Sequence, residues 1–161
     1  MTKGVHLVCF RIGKETYGVD ISTVREIVRV QEMTRVPGTP EFMLGVVNLR
    51  GRILSVVDLG HRLGIAPSTV DGSSRILVTH LEGVSVGFLV DAATEVTKLS
   101  SEQIEPPPGF TGSTQLDYLE GVAKSKDKLI IILNLSRVLS GSQAAAVLAA
   151  ASEITATSES P

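Results

Sequence analysis

The chain has 161 residues, 43% of them hydrophobic, and a formal net charge of -2, enough apolar material for one domain or for two small ones that share a core. Aromatic residues make up 4% with no tryptophan, and no basic cluster interleaves with them, which disfavours a nucleic-acid partner. No apolar run approaches the roughly 20 residues that span a bilayer, the first residues lack a secretory hydrophobic segment, and the single cysteine leaves no internal disulfide, so a cytoplasmic location without direct membrane insertion is expected.

In chain order, Val5 to Ile12 alternates as a strand, with Val8, Phe10 and Ile12 on one side and Leu7 and Cys9 on the other. Gly13-Lys14-Glu15 turns it back into a second strand over Thr16 to Val19. Ile21, Val24, Ile27 and Val28 then recur at helical spacing, which reads as a short amphipathic helix or as a helix running into a strand. Pro37 and Pro40 forbid regular structure across Arg35 to Glu41. A hairpin follows, from Phe42-Met43-Leu44 through the turn around Asn48 and Gly51 to Val57, with Arg50 a long cation at its tip. Ala66 to Ser74 is a Pro/Ser/Gly loop, and Arg75 to His80 with Val84 to Val90 form another hairpin around Glu82-Gly83. Ser100 and Gln103 have the spacing of a capping box before Pro106-Pro107-Pro108-Gly109. After Leu139 the Ala-rich run Ala144 to Ala151 predicts a helix, followed by a flexible polar end.

The chain also reads twice. The pattern of Gly45 to Leu63 returns 76 positions later, without a gap, as Gly121 to Leu139. Each copy is a hairpin feeding a short helix whose first turn is capped by Asp58 or Asn134. Upstream the offset is 69, pairing Gly18 with Gly87 and Glu26 with Glu95, and the change of offset places a seven-residue insertion between Pro106 and Asp117. A module of about 65 residues buries only about 60% of its unfolded surface, so the two modules are expected to share a core or exchange a strand. Residues 1 to 79 hold ten Lys/Arg against seven Asp/Glu and the remainder five against ten, an asymmetry that suits partners on two faces.

Motifs of catalysis are present only in outline. Gly83-Val84-Ser85-Val86-Gly87 matches the G-x-S-x-G nucleophile elbow, but Phe88-Leu89-Val90 continues a strand where that motif requires a turn into a helix, so a serine hydrolase using Ser85 is a distant alternative. His6, His61 and His80 lack companions at metal-ligand spacing, Cys9 lies in an apolar strand, and no phosphate-binding loop occurs, so no catalytic residue, metal or cofactor is assigned. Asn134-Leu135-Ser136 fits a glycosylation acceptor that a cytoplasmic chain does not use.

The ordered set Tyr17-Gly18-Val19-Asp20-Ile21, Val24-Arg25-Glu26-Ile27, Thr34-Arg35-Val36-Pro37-Gly38-Thr39-Pro40, Gly45-Val46-Val47-Asn48-Leu49-Arg50-Gly51 and Val56-Val57-Asp58-Leu59 resembles the CheW family of bacterial chemotaxis coupling proteins. Val90-Asp91, Ile104-Glu105-Pro106 and Tyr118-Leu119-Glu120-Gly121 extend the resemblance to nearly the whole chain. It implies a mainly β fold of two SH3-like β-barrel subdomains packed together, with short helices and a C-terminal helix, the first strand belonging to the second barrel. The CheW-like domain would span residues 5–140, with the first barrel at about 13–79 and the second at 5–12 plus 80–140, and residues 141–161 would form the Ala-rich helix and tail.

The resemblance further implies a non-enzymatic scaffold, recruited to membrane receptor arrays, that joins the cytoplasmic tip of chemoreceptors to the regulatory domain of the histidine kinase CheA. The same adaptor in a pathway for pilus or gliding motility is the nearest alternative. Carried over, the receptor contact would use a groove between the barrels, with Val24 and Glu26 on one wall, Gly45 permitting close approach and Arg50 near the contact. Kinase-contact residues are not assigned by the resemblance. Arg52 and the Ala-rich tail depart from the family pattern.

Overall fold

A computed structural model describes residues 4–65, 69–81, 84–106 and 118–139. The expected insertion after Pro106, the turn at Glu82-Gly83 and the Ala-rich segment therefore lie outside the described residues.

The strands arise where the sequence alternates. β1 (Gly4–Ile12) and β2 (Glu15–Asp20) form a hairpin paired from Leu7 with Asp20 to Ile12 with Glu15. The segment with helical spacing takes the second of its two readings: Ile21–Thr23 is a single 3-10 turn that passes directly into β3 (Val24–Arg29). Asp20 limits the turn, since its carboxylate accepts from the Ser22 amide at 2.9 Å, and the β-branched Val24, Ile27 and Val28 then pair with the neighbouring strand instead of continuing a helix. β4 (Met43–Leu49) and β5 (Arg52–Asp58) form the next hairpin and lead into α1 (Leu59–Arg62), where Asp58 accepts from the His61 amide at 3.2 Å. β6 (Arg75–Leu81) and β7 (Val84–Val90) follow, then β8 (Ala92–Ser100). Gln103 accepts from the Ser100 amide at 2.8 Å in the expected capping box, which leads to β9 (Ile104–Glu105). β10 (Leu119–Ser125), β11 (Lys128–Leu133) and α2 (Leu135–Val138) complete the described chain, with Asn134 capping α2 through a 3.0 Å bond from the Ser136 amide.

Two sheets result, one ordered β3-β6-β7-β5-β4 and the other β8-β1-β2-β11-β10-β9. Each is closed by its own chain. Beyond β3, Thr34 bridges to Val46 of β4, and beyond β8, β9 pairs with β10. The architecture is a pair of SH3-like barrels.

The barrel boundaries differ from those expected. One barrel is contiguous, from β3 to β7 within residues 24–90, while the other combines β1 and β2 with β8 to β11. The early chain therefore contributes a whole hairpin to the second barrel, not one strand, and β6 and β7 stay with the first. The reason lies in the pairing of β2. The Gly13 turn ties β2 to β1, and β2 runs parallel to β11, with Tyr17 opposite Ile131 and Gly18 opposite Ile132. The other barrel repeats this arrangement, with β7 parallel to β5 and Gly87 opposite Val56. The charge asymmetry shrinks accordingly: residues 21–90 hold seven Lys/Arg and six Asp/Glu, and the rest of the chain eight and eleven.

Three clusters form the core. Val47, Leu54, Val56, Ile76, Val78 and Leu89 fill the first barrel, and Leu7, Cys9, Leu99, Ala123, Ile130 and Ile132 the second. The largest lies between them and draws on both, with Val8, Phe10, Tyr17 and Val19 from the second barrel against Leu77, Val86, Phe88 and Val90 from the first. Burial of this shared face couples the barrels, and the molecule is expected to unfold in one calorimetric transition. Leu54→Ala in one interior and Ile132→Ala in the other should each remove about 2–5 kcal/mol and lower that same midpoint. Two separable transitions, each moved by only one substitution, would contradict the coupling.

Candidate functional site

The β4–β5 turn places its tip residue by backbone geometry. Arg50 and Gly51 both have positive φ, 51° and 83°, as a two-residue hairpin of the primed type requires, and Asn48 Oδ1 accepts from the Gly51 amide at 2.9 Å. So positioned, the Arg50 guanidinium meets the Glu26 carboxylate of β3: Nη1 donates to Oε2 at 2.9 Å and Nη2 to Oε1, a bidentate pair. β3 and β4 are the two outer strands of this sheet in linear order, and barrel closure through Thr34 and Val46 brings them together. The Arg50 side chain is 68% exposed and that of Glu26 32%, so the pair contributes no more than about 1 kcal/mol to stability and acts chiefly to hold the guanidinium in one place.

Val24 opens β3 opposite Thr79 and is half-buried against the shared core. A bulge at Arg25 separates it from Glu26, which pairs with Val78. Gly45 is buried, with φ of 148°, and a Cβ there would lie 2.4 Å from the Thr34 carbonyl oxygen. The close approach that this glycine permits is thus to its own chain, where it allows β4 to meet the strand segment that closes the barrel. Arg52 begins β5 exposed, and no ion pair joins it to another described residue.

The exposure of three apolar residues on or beside the edge strands β3 and β8 escaped the sequence reading: Ile21 is 42% exposed, Ile27 40% and Val96 55%. Ile27 lies across from Leu77 and Val96 across from Val8, and both of those partners belong to the shared core. Cross-strand neighbours share a face, so the two side chains extend the inter-barrel core to the surface on β3 and β8. The available signal was the repeat, because Ile27 and Val96 correspond at the same 69-residue offset as Glu26 and Glu95. Spacing alone suggested instead a buried helical face for Ile21, Val24 and Ile27.

The remaining candidate chemistry is dispersed. Ser85 lies within β7 opposite His80 of β6, and the strand runs on to Val90 without the turn a nucleophile elbow needs. His6, His61 and His80 occupy β1, α1 and β6. The Cys9 thiol is buried, and burial pushes its pKa up, with the hydrogen bond to Thr97 Oγ1 at 3.5 Å opposing, so the reactive thiolate is disfavoured.

Two stability measurements test this geometry. Gly45→Ala should lower the denaturation free energy by more than the roughly 1–2 kcal/mol of backbone strain alone, because the Thr34 backbone obstructs the added methyl. Arg50→Glu should cost no more than about 1 kcal/mol, and the reversed pair Glu26→Arg with Arg50→Glu should regain most of it. Equal stabilities for the single and double variants would show that the two side chains are not coupled.

Known proteins share both sequence and architecture. A family model for the CheW-like domain matches residues 6–143. A chemotaxis protein CheW of Klebsiella aerogenes is 33% identical over 146 residues, covering 91% of this chain and 88% of that protein. One from Helicobacter pylori is 34% identical over 131 residues, covering 81% and 78%. The crystal structure of the scaffolding protein TtCheW from Thermoanaerobacter tengcongensis superposes with a TM-score of 0.78 at 38% identity, covering 88% of this chain and 91% of that one. With the matched region embracing both barrels and the repeat between them, this chain belongs to the CheW-like domain family.

Proposed function

We propose that this protein is a non-catalytic chemotaxis scaffold that couples the cytoplasmic tips of chemoreceptors to the regulatory domain of the histidine kinase CheA. Among the described residues no helix is long and apolar enough to cross a membrane, so attachment to a receptor array would come through the partner proteins. The observation that carries the reading is the convergence of Glu26 and Arg50 at the rim of the first barrel. Half-buried Val24 and exposed Ile21 and Ile27 lie on the same edge strand or on the turn that leads into it. An oriented arginine beside apolar side chains is the composition of a protein-binding hot spot, and nothing in this arrangement activates a nucleophile or polarises a bond.

The mechanism is one of geometry. A scaffold that holds receptor and kinase at once raises their effective concentration and fixes their relative orientation, so that a shift in the receptor biases the kinase. The shared core makes the two barrels one body, which lets such a shift pass through the scaffold without being absorbed by a hinge. Val24 would anchor in an apolar recess of the receptor tip, while Arg50, already oriented, would present its free edge to a polar group there.

Titration of the protein with a receptor cytoplasmic-tip fragment and, separately, with the kinase regulatory domain should give saturable binding in both cases. Val24→Ala and Arg50→Glu should each weaken the receptor fragment by about tenfold, leave kinase binding unchanged and shift the melting temperature by only a few degrees. Receptor binding at wild-type strength in either variant would remove that residue from the contact.

A further inference from the structure

Two buried side-chain polar atoms lack a hydrogen-bond partner among the described residues, Asp91 Oδ1 and Arg62 Nε. Asp91 has a structural role, because its other oxygen accepts from the Gly13 amide at 2.7 Å and holds the β1–β2 turn against the crossing between barrels. Arg62 has none that is comparable. It ends α1 with its guanidinium carbon 5.7 Å from the centroid of the Phe42 ring, and no hydrogen bond or ion pair joins it to another described residue. The residue as a whole is half-buried, and its Nε is shut off from solvent.

The repeat shows that the fold does not need an arginine here. At the 76-residue offset Arg62 corresponds to Val138, which is fully buried in the shared core, and Phe42 corresponds to Tyr118. An apolar side chain fits the equivalent slot, so against a desolvated N–H the arginine has only its contact with the Phe42 ring to set within the fold. A guanidinium laid on an aromatic ring has its orientation set and its outer edge free, the geometry that receives a carboxylate through two parallel hydrogen bonds.

Position supplies the partner. Phe42 immediately precedes β4 and Arg50 immediately follows it, so the Arg62–Phe42 shelf and the Glu26–Arg50 pair lie at opposite ends of a seven-residue strand, on the order of 20 Å apart. A scaffold that holds two partners together must offer surfaces that do not compete. We propose that Arg62, laid on Phe42, is a docking anchor for a surface carboxylate of the histidine kinase regulatory domain. The proposal rests on the scaffold function argued above and assigns a residue to its kinase side.

The test compares wild type, Arg62→Met and Arg62→Lys of the full chain in titrations with the kinase regulatory domain, at low and moderate salt, beside titrations with the receptor-tip fragment and thermal melts. Arg62→Met is expected to melt at or above wild type, since it removes the unpaired N–H, yet to bind the kinase domain about tenfold more weakly and with a flatter salt dependence. Arg62→Lys, which keeps the charge but not the fork, should fall between the two, and receptor binding should not change. Kinase binding at wild-type strength in Arg62→Met overturns the proposal. So does an equal loss for the receptor fragment, which would make this part of a receptor surface, and so does a marked drop in melting temperature in both variants, which would make the arginine a structural strut. Wild-type protein that fails to bind the kinase domain at all overturns the scaffold reading and this inference with it, whereas binding that is indifferent to Arg62 overturns the inference alone.

Discussion

The structure depends on one hairpin serving two cores. Along β1, Leu7 and Cys9 enter the interior of the second barrel while Val8, Phe10 and Ile12 face the first. Along β6 and β7 the same division recurs, with Ile76, Val78 and Leu89 inside their own barrel and Leu77, Val86, Phe88 and Val90 directed to the seam. A strand alternates with period two, so neither face can be satisfied without fixing the other. Each barrel is close to the size at which a single core is marginal, and the seam between them supplies the burial that neither has alone. The inward positions also show how narrow the barrels are. A Cβ on Gly87 would lie 2.6 Å from Ile76 Cγ2, and one on the equivalent Gly18 would lie 3.0 Å from Ile130 Cγ2.

Much of this was legible in the repeat. An offset of 76 carries β4 onto β10, β5 onto β11 and α1 onto α2 with their starting residues in register. An offset of 69 relates the β1–β2 hairpin to β6–β7, and even the bulges recur, at Arg25 and Thr94 and again at Leu44 and Glu120. Alternation also gave the two faces of β1 correctly. What alternation cannot give is a strand's neighbour. The parallel pairing of β2 with β11 joins Tyr17 to Ile131, far apart in sequence, and carries no local signature, so the expected barrel boundary was off by about one strand on each side, β2 and β7. At Ile21 to Val28, spacing of three was compatible with a helix, and the outcome was decided by pairing of β3 with β6.

The candidate site was legible as residue types and not as contacts. Glu26 and Arg50 were both singled out, but their meeting requires the curvature that brings β3 round to the β4–β5 turn, and no periodicity reports curvature. Gly45 was placed near a partner, and in the fold it has an internal task, the passage of Thr34 across β4. Ile21 and Ile27 were read as one face of an amphipathic helix because apolar side chains at that spacing usually are, and an edge strand bordering a seam between barrels is where that inference fails.

The duplication also separates what the fold requires of the site from what it does not. The counterparts of Glu26 and Arg50 in the second barrel are Glu95 and Lys126, again a carboxylate and a cation, with Lys126 likewise at positive φ in its turn. Among the described residues the first barrel forms the ion pair and the second does not. Since both barrels close in the same way, the pair is not a condition of closure, and its exposure keeps its contribution to stability small. What it changes is the state of the free protein. An unrestrained arginine side chain has about 2 kcal/mol of rotamer entropy to lose on binding, and one already held by a bidentate carboxylate has lost part of it in advance. A partner docking here would then meet a locally neutral, oriented fork and not a mobile charge, so the pair would favour selectivity for geometry over general attraction to acidic surfaces. The shelf at Arg62 has the opposite character, a cation with no anion paired to it among the described residues, and the two ends of β4 are in this way chemically distinct despite arising from one hairpin.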